Sequence, residues 1–134
     1  MDNSKFAWNE DLKTGNDTLD MQHKELLSIM IRFYESIEHG DAAVTNETIA
    51  YLSAYVFDHF SLEERMMLST NYPGFDKHRD EHTHYVKYVA KLRQEMFITP
   101  QLIDEVSKEL SLWFSDHIND VDKEMAAHIR KFLK

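Results

Sequence analysis

The sequence predicts an all-α protein, folded as an antiparallel up-down-up-down four-helix bundle with an N-terminal arm and a short C-terminal helix. Along four segments the apolar residues recur at spacings of three and four, which places them on one face of each helix. Turn signals separate these segments at Gly40 to Asp41, Asn71 to Gly74 and Thr99 to Pro100. Short connections between amphipathic helices favour antiparallel neighbours around a shared core.

Each element follows from the same pattern. The N-terminal arm at 1–16 has no sustained period and is expected to pack as irregular chain. The helices are predicted at about 18–38, 43–69, 75–97 and 100–117, followed by a terminal segment at 121–133. With 134 residues the chain is long enough for one domain with a sizeable core, so 1–134 is interpreted as a single domain.

Residue types at the predicted helix starts support these boundaries. Asp17 and Thr18 are candidate N-caps for the first helix, and Thr99 for the fourth, because their side-chain oxygens can accept the free N–H groups of a first turn. Pro100 fits the position that follows Thr99, since the first turn needs no N–H there.

Composition excludes several classes of function. Fifteen Lys and Arg against 24 Asp and Glu leave a formal net charge of -9, which repels nucleic acid and anionic membrane surfaces. The absence of cysteine excludes disulfides and thiolate metal sites, so any metal must be bound by nitrogen and oxygen. Without a secretion signal or a long apolar run, the chain is expected to be cytoplasmic, and without a spare apolar stripe, a monomer.

Polar residues interrupt the apolar stripes where leucine would be expected. Five of the eight histidines lie there, together with one glutamate, and unpartnered burial costs roughly 1 to 3 kcal/mol for each polar group. In an antiparallel bundle all of them fall in one layer. They are His23, His59, Glu63, His78, His82 and His117.

Asp122 completes this set, although it follows His117 by five residues and so lies about 140° away on a continuous α-helix. The fourth helix is therefore expected to end or loosen between them. Asn119 and Asp120, both poor residues for a helix interior, stand where that break is needed.

Five imidazoles and two carboxylates exceed what one metal ion takes, so the set predicts two ions that share the carboxylates. If both ions are octahedral and share one further oxygen, one coordination position stays open. Iron suits this mixture of ligands, while the spacing leaves manganese, cobalt and zinc open.

Four motifs resemble the hemerythrin family: L-D-x-Q-H-K-x-L at 19–26, H-F-x-x-E-E-x-M at 59–66, a tyrosine-proline pair followed by H-x-x-x-H at 72–82, and W-x-x-x-H-I with a later aspartate at 113–122. The resemblance implies two irons, cycling between Fe²⁺ and Fe³⁺ with an oxo or hydroxo bridge, that bind O₂ reversibly. It assigns His78, His82 and His117 to one iron and His23 and His59 to the other. Glu63 and Asp122 would bridge them.

The resemblance also implies storage, delivery or sensing of O₂, with NO or azide as ligand analogues. Helical proximity to the ligands places Leu26, Phe60, Trp113 and Phe114 around the O₂ pocket. The alternatives are a di-iron oxidase or peroxidase, and a protein that handles iron or nitric oxide. Carboxylate-rich di-iron enzymes use two Glu-x-x-His motifs, and no such pair is found here, so no catalytic residue is assigned.

Several polar residues have structural interpretations instead. His84 is expected on the surface, His128 in the terminal segment without a partner, and Glu64 facing away from the ligands. Gln22 is left open between a partner for a ligand and a capping group.

Overall fold

The computed structural model describes residues 7–94 and 99–133, apart from the side chains of Pro100, Ile103, Ser107, Ser111, Phe114 and Ser115. Every regular element in these ranges is helical, so the prediction of an all-α fold is confirmed. A short 3-10 turn at Glu10–Leu12 precedes the bundle. The remaining elements are α1 (Asp17–Glu38), α2 (Ala42–Ser69), α3 (Phe75–Gln94), α4 (Pro100–Leu112), a π-helical segment (Trp113–Asp122) and α5 (Lys123–Phe132).

The helix starts are set by side-chain caps. Asn16 caps α1 by accepting the N–H of Leu19 at 3.1 Å, so the predicted caps Asp17 and Thr18 lie one and two residues too late. Thr99 caps α4 as predicted, with its hydroxyl accepting the N–H of Leu102 at 3.1 Å. Each cap satisfies an N–H that the first helical turn leaves free.

The fourth helix loosens between His117 and Asp122 and does not end there, which is one of the two outcomes expected from the sequence. From Trp113 to Asp122 the helix widens into a π-helix and continues directly into α5, through Asn119 and Asp120. A π-helix closes i→i+5 hydrogen bonds, so residues five apart lie nearly above one another. The widening therefore turns Asp122 onto the face of His117 without giving up backbone hydrogen bonds.

The apolar faces of the helices form the core of the bundle. α1 packs against α2 and α2 against α3, and Val106, Leu110 and Trp113 close the core from the fourth side. A second, smaller cluster joins Leu19 and Met67 to α5. No helix among the described residues is long and apolar enough to cross a membrane.

Candidate metal centre

Seven ionisable side chains converge in the interior of the bundle. All are at most 1% exposed, and they come from α1, α2, α3 and the π-helical segment. The structure thus brings together the whole set proposed from the sequence: His23, His59, Glu63, His78, His82, His117 and Asp122.

Helical geometry explains why residues distant in the chain point to one place. His59 and Glu63 are four residues apart on α2, as are His78 and His82 on α3, so each pair projects from one face. His117 and Asp122 are five residues apart, and the π-helical segment brings both onto one face.

Three imidazoles surround the Asp122 carboxylate. The Nε2 atoms of His23 and His78 lie 3.0 Å from its oxygens, and that of His117 lies 3.1 Å away. Divalent cations bind nitrogen and oxygen at about 2.1 Å, so two ligands at right angles stand about 3.0 Å apart. Each of these separations therefore fits one carboxylate oxygen and one imidazole nitrogen that bind the same ion, with His23 beside Oδ2 and the other two histidines beside Oδ1.

Glu63 is surrounded in the same way. The Nε2 atom of His82 lies 3.0 Å from Glu63 Oε1, that of His59 lies 3.4 Å from Oε2, and that of His78 lies 3.5 Å from Oε1. Both carboxylates thus have imidazole nitrogens beside each of their two oxygens, as a bridge between two ions requires.

The facing atoms make no hydrogen bonds with one another within the described part of the chain. Nε2 of His23, His59, His78, His82 and His117 and all four oxygens of Glu63 and Asp122 are buried without a partner. Buried polar groups are nearly always satisfied, and unsatisfied ones call for an explanation such as an ion. This donor set, nitrogen and oxygen without sulfur, fits first-row divalent metals, iron included.

The donor atoms divide into two groups, within each of which they lie no more than 4.8 Å apart. Glu63 and Asp122 belong to both groups. One group adds three histidines and the other adds two: His78, His82 and His117 in the first, His23 and His59 in the second.

Without metal, the electrostatics of the cluster favours the ionised forms of Glu63 and Asp122 and the protonated forms of His23 and His78. Burial alone would lower the pKa of His23 and of His78, but the neighbouring Asp122 and Glu63 raise both to about 9. Burial would raise the pKa of either carboxylate, yet the surrounding histidines hold both well below their usual range. A metal ion bound by these imidazoles would displace their protons, because metal ligands must be deprotonated.

Three side chains outside the cluster contact the outward-facing Nδ1 atoms. Gln22 Oε1 lies 2.6 Å from Nδ1 of His59, so Gln22 contacts a histidine of the cluster. Glu64 Oε2 lies 3.1 Å from Nδ1 of His82, so the expectation that Glu64 faces away is wrong.

Glu81 is the partner that sequence reasoning missed. Its Oε1 atom lies 3.4 Å from Nδ1 of His117, which stands 36 residues later in the chain. The one available signal is its position directly before His82, which places it beside the cluster without showing which helix it faces.

Aromatic rings cover one side of the cluster. Phe60 stacks on the His82 ring with centroids 3.9 Å apart and planes 5° apart, and Trp113 lies 6.1 Å from the His117 ring. Phe60 and Trp113 also line an apolar cavity of about 10 Å³, room for about one water-sized molecule. Leu26 is fully buried in the same core but does not line this cavity, and the side chain of Phe114 lies outside the described residues.

The histidines outside the cluster have other surroundings. His39 follows α1 and places Nδ1 2.7 Å from the carbonyl oxygen of Glu35. His84 is exposed. His128 is not without a partner, because its Nε2 atom lies 2.8 Å from the carbonyl oxygen of Thr70, which joins α5 to the end of α2.

The model of the hemerythrin HHE cation binding domain matches residues 14–129, which is most of the chain and includes every residue of the cluster. The chain belongs to the hemerythrin family. A bacteriohemerythrin of Stenotrophomonas maltophilia is 28% identical over 133 residues, covering 96% of this chain and 87% of its own length. A myohemerythrin of Riftia pachyptila is 29% identical over 119 residues, covering 89% of each protein.

Solved structures agree with this membership. A crystal structure of a hemerythrin point mutant superposes with a TM-score of 0.81 at 24% identity, covering 92% of this chain and 95% of the mutant. At that identity the likeness concerns the fold, and it shows that this hemerythrin-family chain has the family's helical bundle.

Proposed function

We propose that this chain binds O₂ reversibly at a non-haem di-iron centre, in oxygen storage, delivery or sensing. The observation that carries the proposal is the set of buried, unpartnered donor atoms, which divides into two groups that share Glu63 and Asp122. Membership of a family whose relatives are named bacteriohemerythrin and myohemerythrin supports it.

In this proposal His78, His82 and His117 would hold one iron, His23 and His59 would hold the other, and the carboxylates of Glu63 and Asp122 would serve both. When bound, the iron pair supplies two electrons to O₂ and takes them back on its release. The group with two histidines has one ligand fewer, so O₂ would bind there.

The residues around the cluster keep water away and hold the ligands in place. Phe60 and Trp113 present apolar rings to it, and Leu26 is fully buried in the same hydrophobic core. Exclusion of water matters because a reversible binder must release O₂ before water or an anion displaces it. Phe114 remains in the proposed pocket because it lies three residues before His117 in the sequence.

We also propose that the protein is a monomer, since the apolar faces of its helices are used within one bundle. Sedimentation at micromolar concentration checks this, and a tight oligomer would contradict it.

A spectroscopic cycle tests the proposed function. The chain is loaded anaerobically with Fe²⁺, and visible spectra are recorded before exposure to O₂, after it and after its removal under vacuum. We expect a coloured form that appears with O₂ and disappears without it over several cycles, and azide to produce a different coloured form with the oxidised protein. One-way oxidation, or rapid turnover with an added reductant, would favour an oxidase or peroxidase and refute the proposal.

A further inference from the structure

The outward-facing Nδ1 atoms of the histidines have unequal partners on the two sides of the cluster. In the group with three histidines, His82 and His117 face the carboxylates of Glu64 and Glu81. In the group with two, His59 faces the neutral amide of Gln22. Among the described residues, carboxylates therefore contact Nδ1 atoms in the group with three histidines and not in the group with two.

The remaining two histidines do not change this inequality. Nδ1 of His23 and Nδ1 of His78 are buried with no hydrogen-bond partner among the described residues. One belongs to each group, so the difference rests on the three contacted rings.

When the Nε2 atoms bind metal, each contacted Nδ1 is the donor of its hydrogen bond. An imidazole that binds a metal through Nε2 carries its proton on Nδ1, so the facing atom must accept. A carboxylate acceptor draws this proton further from the ring than an amide oxygen does, because hydrogen bonds to ionised groups are stronger. The ring then becomes a more basic ligand and favours a more highly charged metal ion.

We propose that Glu64 and Glu81 are positioning residues, an inference that rests on the proposed di-iron centre. Through their hydrogen bonds to the histidines, they cause the iron held by His78, His82 and His117 to be oxidised first. In the step considered, one Fe²⁺ becomes Fe³⁺ and its electron passes to an added one-electron oxidant such as ferricyanide. No proton or covalent bond is exchanged in this step.

The geometry ranks the two carboxylates. Glu64 lies 3.1 Å from its imidazole and Glu81 lies 3.4 Å from its own, while their side chains are similarly exposed, at 28% and 33%. Screening by solvent is therefore comparable, and the shorter contact has the larger effect.

Substitution by glutamine separates charge from position. Glu64→Gln and Glu81→Gln keep an oxygen that can accept the same hydrogen bond but remove the negative charge. Asp58→Asn is the matched control, because Asp58 is an exposed carboxylate directly before His59. Gln22→Glu makes the opposite change, because it adds a negative charge beside His59 in the group with two histidines.

The experiment measures iron per chain and the midpoint potential of the first one-electron oxidation, by anaerobic spectroelectrochemical titration. In Glu64→Gln we expect unchanged iron content and a midpoint potential that is higher by about 59 mV. This rise corresponds to a change of about tenfold in the equilibrium constant of the one-electron oxidation. The rise should be smaller in Glu81→Gln and absent in Asp58→Asn. Gln22→Glu should lower the potential.

Mössbauer spectra of half-oxidised ⁵⁷Fe samples supply the second measurement. We expect Gln22→Glu to increase the share of Fe³⁺ at the site with two histidines. An unchanged potential in both glutamine variants, or a rise no larger than in Asp58→Asn, overturns the proposal. If Glu64→Gln loses iron, the other two variants decide the proposal. It then requires a higher midpoint potential in Glu81→Gln and a lower one in Gln22→Glu, and any other pair of results overturns it.

Failure of the proposed function is distinguishable from failure of this inference. A wild-type chain that holds two irons but does not bind O₂ refutes the function, while the potentials still decide the roles of Glu64 and Glu81. A wild-type chain that holds no iron refutes both.

Discussion

Raising the pH should destabilise the metal-free chain. The pKa of His23 and the pKa of His78 are raised from 6.5 to about 9 in the folded protein by Asp122 and Glu63. A group with a raised folded-state pKa contributes stability that is complete below its unfolded pKa and is lost as the pH rises through the folded one. The contribution of these histidines is therefore complete below about pH 6.5 and lost through about pH 9.

The two carboxylates do not oppose this trend. Their pKa values are lowered in the folded protein from 3.8 for Asp122 and 4.5 for Glu63, so their contribution is lost only as the pH falls into the acid range. Between pH 6 and pH 10 the histidines decide the sign.

The magnitude follows from the pKa difference. At about 1.4 kcal/mol per pKa unit, the change from 6.5 to about 9 is worth about 3 kcal/mol for one histidine. His23 and His78 share the same carboxylates, so the total for both is less than twice that value.

Urea unfolding followed by far-UV circular dichroism tests this on protein kept metal-free with a chelator. We expect the free energy of unfolding to fall by several kcal/mol from pH 6 to pH 10, and Asp122→Asn to reduce the dependence. His84→Ala, which changes an exposed histidine, serves as the control and should retain it. Metal-loaded protein should lack this loss, because its ligands are already deprotonated. Constant or rising stability of the metal-free chain would show that protonated His23 and His78 do not stabilise the folded protein.

Other substitutions test the centre and its surroundings. Glu63→Ala or Asp122→Ala should leave iron well below two per chain by elemental analysis, and full loading would contradict the shared carboxylates. Phe60→Ala should cost about 3 to 5 kcal/mol in urea unfolding and shorten the life of the oxygenated spectrum as water enters; an unchanged lifetime with intact iron would remove Phe60 from the pocket. His84→Ala should change neither iron nor stability, whereas His128→Ala should keep iron and lose about 1 kcal/mol with its hydrogen bond. Loss of iron in either histidine variant would contradict their separation from the ligands.

Periodicity was enough to predict the helices and the polar residues on their buried faces. His59 and Glu63, like His78 and His82, share a face by a rule that acts within one helix. Such local rules can be applied to a sequence without knowing how the helices pack.

The remaining features depend on packing between helices. A π-helix at 113–122 and a break there both satisfy the need to turn Asp122 toward His117, and the sequence does not choose between them. The contacts of Glu64, Glu81 and His128 depend on how neighbouring helices are rotated, which periodicity does not give.

Quantitative O₂ uptake is the direct test of reversible O₂ binding at a di-iron centre. The Fe²⁺-loaded chain is titrated with O₂ in a sealed cell, iron is measured on the same sample, and the O₂ released under vacuum is collected. We expect two irons per chain, one O₂ bound for each pair and recovery of that O₂ on release. Uptake of O₂ without recovery, or one iron per chain, would contradict this expectation.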